Sequence, residues 1–437
     1  MTLLIVIAGI FLLFALIAGL KLNSFISFII VCIFVGLLQG MEPLSIVGSI
    51  QKGIGDTLGF LVLILGLGAM LGKLVADSGA AQRITTKLVN AFGIKYVQWA
   101  VVITGFIVGI PMFYSVGFVI LVPLVFTIAA TTRLPLLYVG LPMLTSLSVT
   151  HGYLPPHPAP TAIVGMFGAD FGKTLLYGLI IAVPAVIVAG PLFAQTLKKI
   201  EVKPLDKFYN PNILEDHEMP KAGTSLLTAL SPIILIFIAI GAEQFLGDGL
   251  LRTVLVFLGN PVIALLLSVL LAIYTLGIRQ GQKMKEVMET LKDGVLGIAM
   301  ILLVIAGAGA LKQILIDSGV SQYIADLLKD SNFSPIILAW LIATVIRVCV
   351  GSATVAGLTA AGIVLPLLNM PGVHAELLVL AIGSGSLMLS HVNDSGFWLF
   401  KEYFNLSVKQ TLRTWTVMET IVGVMGLLGT LVLNQFI

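Results

Sequence analysis

The 437-residue chain is 58% hydrophobic and only 10% charged, with a mean hydropathy of +1.09 and a formal net charge of +3. A soluble domain carries about a quarter charged residues, so no soluble core could hide this much apolar surface, and the solvent of the fold is expected to be lipid. The chain has no basic tract interleaved with aromatics, which argues against nucleic acid as a partner. Its two cysteines, Cys32 and Cys349, stand alone in apolar stretches without metal-ligand spacing.

In chain order, apolar segments suited to crossing a bilayer fall at 3–20, 22–40, 57–76, 136–168 and 175–197, then at 226–245, 253–278, 293–316, 375–400 and 412–436. About 20 apolar residues span the hydrocarbon core. The first segment lacks a basic n-region and a small-residue cleavage site, so it reads as a retained span rather than a signal peptide. Between the third and fourth segments of each set lies another apolar stretch, 97–130 and 335–368, broken near its middle. Each is either two short helices or a re-entrant hairpin. The expected fold class is an all-α polytopic membrane protein.

The two sets read as copies. LGKLVADSGAAQRI (71–84) lies over LKQILIDSGVSQYI (311–324), and at the same offset of 240 SLSVTH (146–151) lies over SLMLSH (386–391). Repeats of this kind mark many transporter folds. The expected organisation is a first repeat over 1–197, a linker rich in Lys, Pro and Asn over 198–224, and a second repeat over 225–437. Five crossings per copy is an odd number, so the copies are expected to be inverted in the membrane. With the first residue outside, cytoplasmic segments hold 17 of the 24 basic residues. Outer segments then hold only Lys52, Lys173, Arg252 and Lys329. The positive-inside bias favours that orientation, with both termini periplasmic and the linker cytoplasmic.

Four places combine a helix break with polar residues at membrane depth: 109–117, 145–160, 347–357 and 383–396. Backbone freed from helical bonding is tolerated there only where protein or a wet cavity satisfies it. Helix N-termini at such breaks present free N–H groups and partial positive charge, which suits a carboxylate. The alternative is kinking for packing alone. Arg347 either meets an anionic substrate or forms a structural pair with an acid, since a lone cation at mid-bilayer costs about 2.5–3.5 kcal/mol. Hydroxyls of Ser115, Ser146, Thr150, Ser352, Thr354, Ser384 and Ser390 could meet polyol or carboxylate oxygens, although such hydroxyls commonly bond their own helix. His151, His157, His391 and Asn393 complete the polar set. Asp394 is either a proton carrier with His391 beside it or a permanent counter-ion for Arg347. GADFGKT (168–174) lacks the glycine spacing of a phosphate loop, so a gradient rather than ATP is expected to drive any transport.

SVTHGYLPPHPAPTAI (148–163), RVCVGSATVAG (347–357) and SHVNDSGFWLFKEYFNL (390–406) resemble the motifs of the gluconate permease family, the gluconate:proton symporters. The resemblance runs from the first span to the last, and three long motifs in order are specific. It implies inverted repeats, two re-entrant hairpins, a homodimer and an elevator motion, in a bacterial inner membrane. Gluconate or a related sugar acid would be imported with a proton, without a cofactor. Family members usually read Phe-(Phe/Tyr)-Glu-Val in the first hairpin, whereas this chain reads Phe113-Tyr114-Ser115-Val116. Ser115 cannot carry a proton, so coupling falls to another group such as Asp394, to sodium, or to nothing. A different small carboxylate such as D-serine, an intramembrane enzyme built on His151, His157, His391 and Asp394, and a passive channel are the competing readings.

Overall fold

The computed structural model describes residues 2–112, 114–200, 202, 214–320, 322–323 and 334–437, and among these every regular element is a helix. The first half contains α1 (Thr2–Phe14), α2 (Ser24–Leu38), α3 (Pro43–Asp77), α4 (Ala80–Phe92), α5 (Val97–Gly109), α6 (Tyr114–Thr132), α7 (Leu136–Tyr153), α8 (Pro158–Phe167) and α9 (Phe171–Thr196). The second contains α10 (Ala222–Phe245), α11 (Leu250–Gly259), α12 (Pro261–Gln280), α13 (Met284–Asp317), α14 (Pro335–Val350), α15 (Ala353–Val364), α16 (Ala375–Gly385), α17 (Ser395–Tyr403) and α18 (Val408–Leu433).

Local sequence sets these boundaries. Asn23 opens α2 by accepting the Phe25 amide at 2.9 Å, and proline occupies the first turn of α3, α8, α12 and α14, where its missing N–H costs nothing. Gly351 closes α14 with φ of 80°, a left-handed conformation that glycine adopts without a Cβ penalty.

Among the described residues, five helices are long and apolar enough to cross a membrane, or seven if two bent pairs each count as one span. Several expected spans take a different form. The segment at 57–76 belongs to the 35-residue α3, bent by 45° between Gly59 and Leu61, and 293–316 belongs to the 34-residue α13. The segment at 253–278 is two helices, because the Asn260 side chain caps α12 at the Val262 amide, 3.1 Å away, and Pro261 cannot continue α11. The stretches 136–168 and 375–400 are each interrupted, at 154–157 and 386–394.

The longest helices form the spine. Gly53 of α3 lies against the backbone of Gly309 and Ala310, while Gly294 of α13 lies against the Ala69 carbonyl and Lys73. Advancing along α3 therefore means retreating along α13, so the two pack antiparallel. They end at Asp77 and Asp317, 240 residues apart, and each aspartate accepts a bond from the residue four before it: Lys73 at 2.9 Å and Gln313 at 2.8 Å. Helices α7 and α16 are buried on almost every face, as expected for helices apolar all round. The end of the linker is strapped to α4: the Gln82 side chain bonds both the amide and the carbonyl of Leu214, and Arg83 holds the Met219 and Pro220 carbonyls and Asp216.

Candidate functional site

Each half has two chain breaks, and each pair is stitched together. In the first half the His157 ring nitrogen Nε2 bonds the Gly109 carbonyl at 2.8 Å, tying the end of α5 to the turn before α8. In the second, the Asn393 amide donates to the Val348 carbonyl at 2.8 Å, and His391 Nε2 meets the same oxygen at 3.2 Å. A helix that ends inside the protein leaves its last carbonyls short of intrahelical partners, and these side chains bond them.

The second half adds charge. Arg347, 3% exposed, reaches from the last turn of α14 to the Gly351 carbonyl and to Asp394 Oδ2. The same oxygen takes the Ser390 hydroxyl, whose Oγ accepts the Trp415 indole N–H at 2.7 Å. Asp394 Oδ1 accepts the Gly396 amide at 2.8 Å and so caps α17. Both carboxylate oxygens are thus occupied by protein.

Around this pair opens a cavity of about 610 Å³, within the roughly 300–1,000 Å³ typical of small-molecule sites. Its wall includes Arg347, Gly351 to Thr354 at the start of α15, Asn393 to Gly396 at the start of α17, and Tyr114, Ser148, His151, Trp415 and Glu419. Two helix N-termini thus face one space, with Ser352 capping α15 at the Val355 amide, 3.3 Å away. Seven buried side-chain polar atoms among the described residues have no hydrogen-bond partner. Four of them, Tyr114 Oη, His151 Nδ1, Arg347 Nε and Glu419 Oε2, belong to residues lining this cavity. Unpaired buried polar atoms are rare and costly, about 1–3 kcal/mol each. Their convergence describes a site shaped for a polar guest.

Six of the residues singled out from sequence meet here: His151, Arg347, Ser352, Thr354, Asn393 and Asp394. Ser390 stands behind them, holding Asp394. The rest lie elsewhere. Ser146, Thr150 and Ser384 bond carbonyls of their own helices at 3.2, 2.9 and 3.0 Å, and His157 and His391 serve the Gly109 and Val348 carbonyls. The Ser115 side chain and Phe113 fall outside the described residues.

Sequence reasoning missed Tyr114, Ser148, Trp415 and, above all, Glu419. Glu419 is 2% exposed, and its Oε1 accepts the Ser148 hydroxyl at 2.6 Å. A lone acid in the apolar run VMETIVGV (417–424) is the signal the sequence carries for it.

The sequence profile of the GntP family permeases matches residues 1–437. The chain is 52% identical to a high-affinity gluconate transporter of Escherichia coli over all of both chains, and 52% identical to the Gnt-II system L-idonate transporter of the same organism over 99% of each. It is 50% identical to a gluconate permease of Bacillus subtilis over 98% of each. Among solved structures, the YdaH transporter of Alcanivorax borkumensis superposes with a TM-score of 0.64 at 16% identity, over 94% of this chain and 97% of that one. MtrF of Neisseria gonorrhoeae, described as illuminating a class of antimetabolite efflux pumps, gives 0.65 at 16% identity over 93% of each. At such identity the likeness speaks for the fold alone.

Proposed function

The chain belongs to the GntP permease family, a multi-pass membrane protein and not an enzyme, and from that membership we propose that it imports gluconate or a closely related sugar acid by proton symport, bound in the cavity beside Arg347. The observation that carries this reading is the gathering of a buried guanidinium, two helix N-termini and four residues that hold unpartnered buried polar atoms around one space of about 610 Å³. The helix N-termini and the free edge of Arg347 suit a carboxylate. Tyr114 and His151 offer donors and acceptors to a hydroxylated chain. Gluconate and L-idonate, which the relatives' names carry, both present one carboxylate and a row of hydroxyls.

Halves 1–197 and 225–437 act as inverted repeats joined by a cytoplasmic linker at 198–224, with both termini periplasmic in a bacterial inner membrane. The antiparallel packing of α3 on α13, whose C-terminal aspartates lie 240 residues apart, supports that inversion. A homodimer with an elevator motion of the broken helices fits this arrangement. Cysteine labelling with an impermeant reagent on intact cells tests the orientation: the C-terminus is expected to label and the linker to stay protected, and the reverse sinks it.

The functional test is counterflow. Purified protein in liposomes preloaded with unlabelled gluconate is expected to draw in ¹⁴C-gluconate, with idonate and other aldonates competing and D-serine failing to compete. If no sugar acid exchanges, or if D-serine alone does, the substrate assignment is wrong. A sodium requirement would overturn the proton reading while leaving the substrate reading intact.

A further inference from the structure

The proposed transport leaves open which group takes the coupling proton. Asp394 is poorly placed to do so, since Oδ2 holds Arg347 and Ser390 while Oδ1 holds the Gly396 amide. Glu419 is the contrasting acid. It lies in the middle of α18, is 2% exposed, and has one oxygen on Ser148 at 2.6 Å and the other on nothing. Among the described residues no lysine, arginine or histidine forms an ion pair with it, although Arg347 lines the same cavity. An isolated buried carboxylate is expensive, whereas a protonated one is tolerable.

We propose that Glu419 is the proton-coupling residue, binding its proton at the oxygen that no other group occupies, in the wall of the cavity, while the Arg347–Asp394 pair stays ionised throughout. This deepens the transport reading and rests on it. The step is a simple protonation: a carboxylate and a proton give a carboxylic acid.

The charges on the cavity wall explain why the proton and an anion would travel together. Arg347 contributes +1 and Asp394 −1, so with Glu419 ionised the wall carries a net −1, and with Glu419 protonated it carries none. An anionic substrate therefore enters more readily when Glu419 holds a proton, and by linkage the bound anion makes Glu419 hold it more firmly. Other titratable or charged groups face Glu419 from each packed element. Tyr114 comes from α6, His151 and Tyr153 from α7, Arg347 from α14 and Asp394 from the turn before α17. Helix α9 carries Lys173 and Tyr177, and α16 carries Glu376. These lie toward the far end of α18, since Ile181 meets Gly429 and Ser384 meets Gly426.

The test uses the full chain in liposomes with the membrane potential clamped at zero and ¹⁴C-gluconate as probe. A one-unit inward proton gradient is expected to concentrate gluconate about tenfold in the parent, the equivalent of one proton per anion. Glu419→Gln is expected to hold the ratio near one while gluconate counterflow persists, and Glu419→Asp to restore accumulation. Gradient-driven accumulation by Glu419→Gln overturns the proposal, as does failure of Glu419→Asp to accumulate while it still exchanges. If Glu419→Gln does not fold, Ser148→Ala decides, because it keeps the carboxyl and removes its hydroxyl partner. A displacement of the pH midpoint of uptake by half a unit or more supports the role, and an unmoved midpoint overturns it. A parent that shows no gluconate counterflow refutes the transport reading itself, a result separable from all of these.

Discussion

The two halves close the same chain break with different chemistry. In the first, the end of α5 is held by neutral contacts, His157 and the Met112 amide on the Gly109 carbonyl, and the positions matching Arg347 and Asp394 at the offset of 240 are Ile107 and Leu154. In the second, the end of α14 is held by Asn393 and His391 and overlaid with the Arg347–Asp394 pair, which Ser390, Trp415 and the Gly396 amide secure. Both arrangements solve the problem of a helix ending inside the protein. Only the second places charge on a cavity wall. Under the proposed duplication, the two halves keep a common backbone solution while the proposed recognition settles in one.

Breaking the charged stitch carries the largest expected effect. Arg347→Gln strands Asp394 as a nearly buried carboxylate, and removing one partner of a buried pair costs about 3–5 kcal/mol. Thermal unfolding of the purified protein is expected to show that loss, with gluconate binding gone. The double variant Arg347→Gln/Asp394→Asn is expected to regain most of the stability and none of the binding, because it removes the stranded charge but not the need for a cation. Recovery of both would make Arg347 purely structural.

The neutral stitch comes next. His157→Ala removes the shorter of two bonds to the Gly109 carbonyl, which keeps the Met112 amide at 3.3 Å, and at about 0.5–1.5 kcal/mol is expected to lower the unfolding temperature while gluconate binds within a few-fold of the parent. Binding lost as completely as in Arg347→Gln would erase the contrast between the halves. Asn393→Ala removes one of two bonds to the Val348 carbonyl and is expected to cost only about 1 kcal/mol by the same unfolding measurement. Smallest of all is Ser384→Ala. Its hydroxyl bonds the Ala381 carbonyl of its own helix, so gluconate Kd is expected to stay within about twofold, less than about 0.5 kcal/mol.

How far the sequence carried this picture depended on the kind of signal. The breaks at Gly351 and at 154–157 were legible because glycine and proline punctuate apolar runs in ways a helix cannot absorb. Arg347 and Asp394 were legible because charge at membrane depth demands a partner. Their mutual pairing stood as one of two readings of Asp394, and the fold decides for it by bringing α14 to the turn before α17 across 47 residues of chain. The hydroxyls were overread for a related reason: a serine in a helix looks the same in sequence whether it faces a cavity or, like Ser146 and Ser384, its own backbone. Glu419 was hidden in a span with no break, where attention to interruptions does not reach. The boundaries of α3 and α13 also ran past the apolar runs, because polar turns such as 43–56 remain helical where they pack or face water.

The most direct test of the central claim, that the second half's break is the anion site, is a structure of the protein determined with gluconate bound. The account expects the carboxylate beside Arg347 and the first turn of α15, with the hydroxylated chain running toward Tyr114 and His151. Gluconate found instead at the first half's break, between Gly109 and His157, or outside the cavity altogether, would contradict it.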